Sequence, residues 1–122
     1  MSAVSRVRIQ IADFDLGAEV ATLRHGDTAV GAVASFVGTV RDRNSGPPGE
    51  VSAMELEHYP GMTEKAIEAM IDEAMARFDI RAARVVHRVG PLWPGDQIVL
   101  VAVSSAQVVG GGRLYLAKRS VR

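Results

Sequence analysis

Residues able to do chemistry are sparse in this 122-residue chain, and Arg41 is the most interesting of them. It follows the apolar run Thr28-Ala-Val-Gly-Ala-Val-Ala-Ser-Phe-Val-Gly-Thr-Val40 and opens a loop rich in breakers, Arg41-Asp-Arg-Asn-Ser-Gly-Pro-Pro-Gly49. A guanidinium at a strand end beside such a loop suits a bidentate grip on phosphate or carboxylate. A solvated arginine paired with Asp42, Asp27 or Glu50 is the alternative. Lys65 and Lys118 are the only lysines. Lys65 falls on the polar face of a helix, so an amine-dependent reaction would use Lys118 by elimination. His25, His58 and His87 have no metal-ligand spacing and read as surface or strand-end residues. Ser104-Ser105 lacks the glycines of a nucleophile elbow, and Gly110-Gly-Gly-Arg113 fits neither phosphate-loop pattern. No metal and no cofactor is expected.

The elements that must position these residues follow from periodicity. Val7 to Ile11 alternates as a strand, and Asp15 caps a short helix from Leu16 to Arg24 with Leu16, Val20 and Leu23 on one face. The run Thr28–Val40 is predicted as a long central strand, with Gly31 and Gly38 marking a bulge or a close approach. Val51 to His58 reads as a strand, and Pro60-Gly61 marks the change to a helix from Met62 to Phe78. That helix places Ile67, Met70, Ile71, Ala74, Met75 and Phe78 on one face. Arg84–Gly90 and Gln97–Val103 are strands joined through the turn Pro91–Asp96, and the second is predicted to be covered on both faces. The order β-α-β-β-α-β-β argues an α+β fold with a mixed, mostly antiparallel sheet and two helices.

Length bounds the chain to one domain, residues 1–122, with 48% hydrophobic and 23% charged residues. The absence of cysteine excludes disulfides and fits a reducing compartment. The N-terminus lacks the apolar core of a signal peptide and no apolar run is long enough to span a bilayer, so a cytoplasmic location without a membrane partner is expected. Net charge is zero, but Arg113, Lys118, Arg119 and Arg122 form a basic tail, while residues 1–112 hold 10 bases against 14 acids. Such a tail could attract an anion or RNA, or be a solvated end. Aromatics are 5% of the chain and do not interleave with basic runs apart from Tyr115, so no nucleic-acid partner is expected.

Four blocks together resemble the large, catalytic subunit of molybdopterin synthase. They are Phe36-Val-Gly-Thr-Val-Arg-Asp-Arg-Asn44, Leu56-Glu-His-Tyr-Pro-Gly-Met-Thr-Glu-Lys-Ala66, Val86-His-Arg-Val-Gly-Pro-Leu-Trp-Pro-Gly-Asp96 and Val101-Ala-Val-Ser-Ser-Ala106. The resemblance implies an α+β fold around a hammerhead-like subdomain and homodimers that pair through their sheets. It implies a small ubiquitin-like sulfur-carrier subunit whose C-terminal Gly-Gly thiocarboxylate enters the site. The implied reaction is sulfur transfer to cyclic pyranopterin monophosphate, giving the dithiolene of molybdopterin. Arg41 matches the family arginine after the strand, with Thr39 and Val40 as its matching neighbours, so substrate anchoring is carried over to these residues first.

The resemblance weakens after Ala106. The family continues with His-Arg, a helix bearing a lysine and a segment bearing a second lysine; here Gln107-Val108 stands in place of the pair. Interior glycines at 110–112 disfavour that helix by about 0.5–1 kcal/mol each. Lys118 matches the first family lysine only if several residues are deleted. Residues 107–122 therefore read as an atypical basic tail in which Lys118 is the candidate catalytic group and Gln107 and Arg119 candidate substrate contacts. A truncated or frame-altered product, a paralogue completed by its dimer partner, and a rewired tail all fit this departure. The functional alternative is a catalytically impaired scaffold or binding subunit of the same fold.

Overall fold

The computed structural model describes residues 6–42, 54–56 and 61–106. Four strands form the main sheet: β1 (Val7–Gln10), β2 (Ala32–Thr39), β4 (Ala82–Arg88) and β6 (Gln97–Ser105), in the order β1-β4-β6-β2. β1 runs parallel to β4, while β6 is antiparallel to both β4 and β2. A second, two-stranded antiparallel sheet joins β3 (Met54–Leu56) to β5 (Gly90–Leu92). With α1 (Leu16–Arg24) and α2 (Met62–Arg77), the architecture is α+β with a mixed, mostly antiparallel sheet, as the sequence indicates.

Both helices begin where side-chain chemistry starts them. The Asp15 carboxylate accepts from the amide of Ala18 at 3.1 Å, and the Glu64 carboxylate accepts from the amide of Gly61 at 2.9 Å. α1 covers one sheet face, where Phe14 and Leu23 pack with Val86, Leu100 and Ala102. Val86 and Leu100 are wholly buried, each contributing about 1.5–3 kcal/mol of transfer free energy. α2 packs Ile67, Ile71 and Met75 against Val7, Ile9, Ala83 and Val85 on the opposite face.

Several expectations are corrected. Among the described residues β2 is an edge strand of eight residues rather than a long central one, because β6 pairs with it on one side only. β6 is not fully covered on both faces: Ala102 and Leu100 are buried under α1, whereas Val101 is exposed on the α2 side. α2 lies over the β1–β4 half of that face, so Met70 and Phe78 remain exposed despite their helical spacing. Leu16 is exposed too, and Glu19 is buried on α1 alongside Leu23. The segment read as a β4–β6 turn first forms β5, and only Trp93–Asp96 turns the chain. Of the predicted strand Val51–His58, residues 54–56 are described and form β3; His58 lies outside the described residues.

Candidate functional site

β2 carries Arg41 to one end of the main sheet. Its pairing with β6 runs from Ala32 opposite Ser105 to Gly38 opposite Val99, and then jumps to Thr39 opposite Gln97. One β6 residue, Ile98, is thus extra, and the ladder ends on a bulge, a device that re-aims the strand beyond it. Gly38 suits that place because a Cβ there would come within 3.1 Å of Val99 Cγ1. The expectation of a bulge or a close approach at Gly38 is met on both counts.

Beyond the bulge the chain is held differently. The amide of Val40 donates to the carbonyl of Asp96 at 2.8 Å, and the amide of Gly95 donates to the carbonyl of Val40 at 2.8 Å. Val40 is buried, whereas Thr39, Arg41 and Asp42 are exposed. Both backbone groups of Val40 are therefore occupied, which leaves the Thr39 hydroxyl and the Arg41 guanidinium as the groups presented here. Asp27, one of the acids weighed as a partner for Arg41, instead pairs with Arg81 at 2.9 Å. Arg41 forms no hydrogen bond or ion pair with another described residue.

The same sheet end is braced by a polar network that sequence reasoning missed. Arg88 donates to the carbonyls of Ile11 at 3.0 Å and Gln97 at 3.1 Å, tying the ends of β1, β4 and β6 together. The Gln97 side chain donates to the Asp13 carboxylate and to the carbonyl of Phe14. The hydrogen bond from Gln97, then that from the Phe14 amide, holds the Asp13 carboxyl below its ordinary range, with Arg88 adding a smaller electrostatic pull. His87 Nδ1 lies 2.8 Å from the carbonyl of Arg88; a carbonyl only accepts, so Nδ1 carries the proton. His87 stands half-buried one residue before the end of β4, in agreement with its reading as a strand-end residue.

The remaining predicted site residues belong to the C-terminal segment. Gln107, Lys118 and Arg119 lie outside the described residues. Ala106, which precedes Gln107, follows the end of β6 that pairs with Ala32, the far end from Thr39. Eight residue steps separate Gln97 from Ser105 on β6, about 27 Å at the usual strand rise. Arg41 and Ala106 of one chain therefore leave the sheet at ends separated by about that length. Lys118 is less constrained, since twelve residues beyond Ala106 can span up to about 40 Å when extended.

Between α2 and the sheet lies an apolar groove of about 330 Å³, lined by Ile67, Met70, Val85, Val99 and Val101, with His87 at its wall. Among the described residues no three His, Asp or Glu side chains converge to hold a metal ion, and no helix is long and apolar enough to cross a membrane.

The family model described as MoaE protein matches residues 9–108. The chain belongs to that family. It is 65% identical over 99 residues to the molybdopterin synthase catalytic subunit of Ralstonia nicotianae, covering 81% of this chain and 55% of that subunit. The first curated relatives it matches are thus longer than this chain, which spans between 55% and 66% of their lengths. A molybdopterin biosynthesis MoaE protein from Burkholderia ambifaria is similar in structure, with TM-score 0.73, 52% identity, and 84% of this chain and 67% of that chain covered. The molybdopterin synthase of Staphylococcus aureus gives TM-score 0.76 at 28% identity over 91% and 78% of the two chains. The α+β fold is that of the MoaE relatives.

Proposed function

We propose that this chain acts as the catalytic subunit of a molybdopterin synthase, moving sulfur from a thiocarboxylated small carrier subunit to cyclic pyranopterin monophosphate. The observation that carries the reading is Arg41: an exposed guanidinium, without a partner among the described residues, leaving a clamped strand end in a chain 65% identical to such a subunit. Phosphate is the natural ligand for a planar, permanently charged fork at that place. The Thr39 hydroxyl adds a neutral donor beside it, while Val40 serves through its anchored backbone.

Lys118 is the group that assists sulfur transfer, with Arg119 and Gln107 as further substrate contacts. An amine near the carrier's C-terminal carbonyl can stabilise developing negative charge and move protons. Because Arg41 and Ala106 leave opposite sheet ends, Gln107 meets Arg41 only across two protomers. A homodimer that pairs through its sheets, with one carrier bound to each protomer, supplies that arrangement. The eight-residue edge strand β2 supports this pairing: it has no charged residue or proline and exposes Phe36.

The test mixes purified protein with thiocarboxylated carrier and cyclic pyranopterin monophosphate and assays the dithiolene product. Product formation that is lost in Lys118→Ala is the expected result. No product under conditions in which a longer relative is active would leave the scaffold reading in its place.

A further inference from the structure

We infer that Asp96 is a positioning residue for Arg41: it closes the Trp93–Asp96 turn, and that turn fixes the point from which the guanidinium leaves the sheet. The inference rests on the reading of Arg41 as a phosphate anchor. Three groups of this one residue are committed to the task. The Asp96 carboxylate accepts from the amide of Trp93 at 2.8 Å, and the Asp96 amide donates to the carbonyl of Trp93 at 2.9 Å. Its carbonyl accepts from Val40 at 2.8 Å, while neighbouring Gly95 donates to the carbonyl of Val40. Gly95 has φ +93°, a conformation that side chains rarely adopt, so the turn depends on glycine there.

The device has a reason. The β2–β6 ladder ends in the bulge at Gly38/Thr39, one residue short of Val40, and Arg41 opens the stretch 41–49 that is rich in chain breakers. Without the turn, nothing in the strand ladder would hold the backbone next to Arg41. A long side chain on a loose backbone loses more freedom on gripping a ligand than one on a fixed backbone. The Asp96 carboxylate thus acts on substrate through Val40 and Arg41, without touching it.

Calorimetric titration of the whole chain with cyclic pyranopterin monophosphate tests this without requiring turnover. Arg41→Ala is expected to weaken binding at least about tenfold, as for loss of a charged hydrogen-bond partner, and Asp96→Ala to weaken it several-fold. Asp96→Asn keeps an acceptor for Trp93 and should bind like the native protein. The double variant Asp96→Ala/Arg41→Ala should bind no more weakly than Arg41→Ala alone, because the effect of Asp96 runs through Arg41. Asp96→Ser, with a shorter acceptor, replaces Asp96→Ala if the latter does not fold, and should give an intermediate loss. Multiplying losses in the double variant, native binding by Asp96→Ala (or by Asp96→Ser in its place), or an Asp96→Asn loss as large as that of alanine would overturn the inference while leaving Arg41 as anchor. Native binding by Arg41→Ala would overturn both.

Discussion

Arg41 and Ala106 leave the main sheet at opposite ends, because β2 and β6 run antiparallel and pair Ala32 with Ser105 but Thr39 with Gln97. Their blocks both match the family, yet within one chain they are separated by the length of β6. The proposed site is therefore completed either by the tail running back along the sheet or by a second protomer, and only the second lets Gln107 meet Arg41.

A complementation experiment separates these routes. Arg41→Ala and Lys118→Ala are each expected to be inactive. After subunit exchange their mixture should recover about a quarter of native activity, since half of the symmetric dimers are mixed and each of those has one intact site. Activity that stays at background would assign Arg41 and Lys118 to the same chain.

Phe36→Lys probes the pairing itself. Phe36 is 62% exposed on β2, so within one protomer its replacement should change unfolding stability by no more than about 0.5 kcal/mol, apart from what loss of pairing costs. On size-exclusion chromatography with light scattering, the variant should run as a monomer where the native chain runs as a dimer. A dimer that survives would move the interface away from β2.

Glu19 joins α1 to β1 and β4 through its carboxylate. Its carboxylate, on α1, pairs with Arg8 of β1 and lies 3.2 Å from Nε of Arg84, whose side chain is only 6% exposed. Arg84 also donates to the Thr22 hydroxyl at 3.3 Å. Glu19→Ala removes a carboxylate shared by two guanidiniums and is expected to lower unfolding free energy by about 1.5–3 kcal/mol, measured in urea.

Acid should weaken the fold through Asp13 and Asp27. Asp27 is held below the ordinary carboxylate range mainly by its hydrogen bond from Arg81, then by that from the amide of Ala29. Asp13 is held low chiefly by the bond from Gln97. A depressed folded-state value means that the stabilisation is present above the unfolded carboxylate value, about pH 4, and is lost as pH falls through the folded values. Urea midpoints should decline in that acid range, and Asp13→Asn with Asp27→Asn should flatten the decline. Asp13 is exposed and Asp27 only half-buried, so the effect is small and shrinks with added salt.

The sequence by itself determined the helices, the fold class and the family. Asp15 as cap and the Pro60-Gly61 break are local signals, acting over three or four residues, and the helices begin where those residues place them. The apolar run ending at Val40 located Arg41 at a strand end, and glycine within that run marked Gly38 as a special position. Only tertiary structure decided that β2 is an edge, that α2 covers half a sheet face, and that Arg41 and Ala106 lie far apart. Strand order and coverage depend on partners many residues away, which periodicity does not encode. Glu19 shows the same limit: helical spacing puts it on the face of Leu16 and Leu23, and only the placing of Arg84 on β4 makes a carboxylate acceptable there. The clamp between Val40 and Asp96 joins residues 56 positions apart through backbone groups, which carry no sequence signature at all.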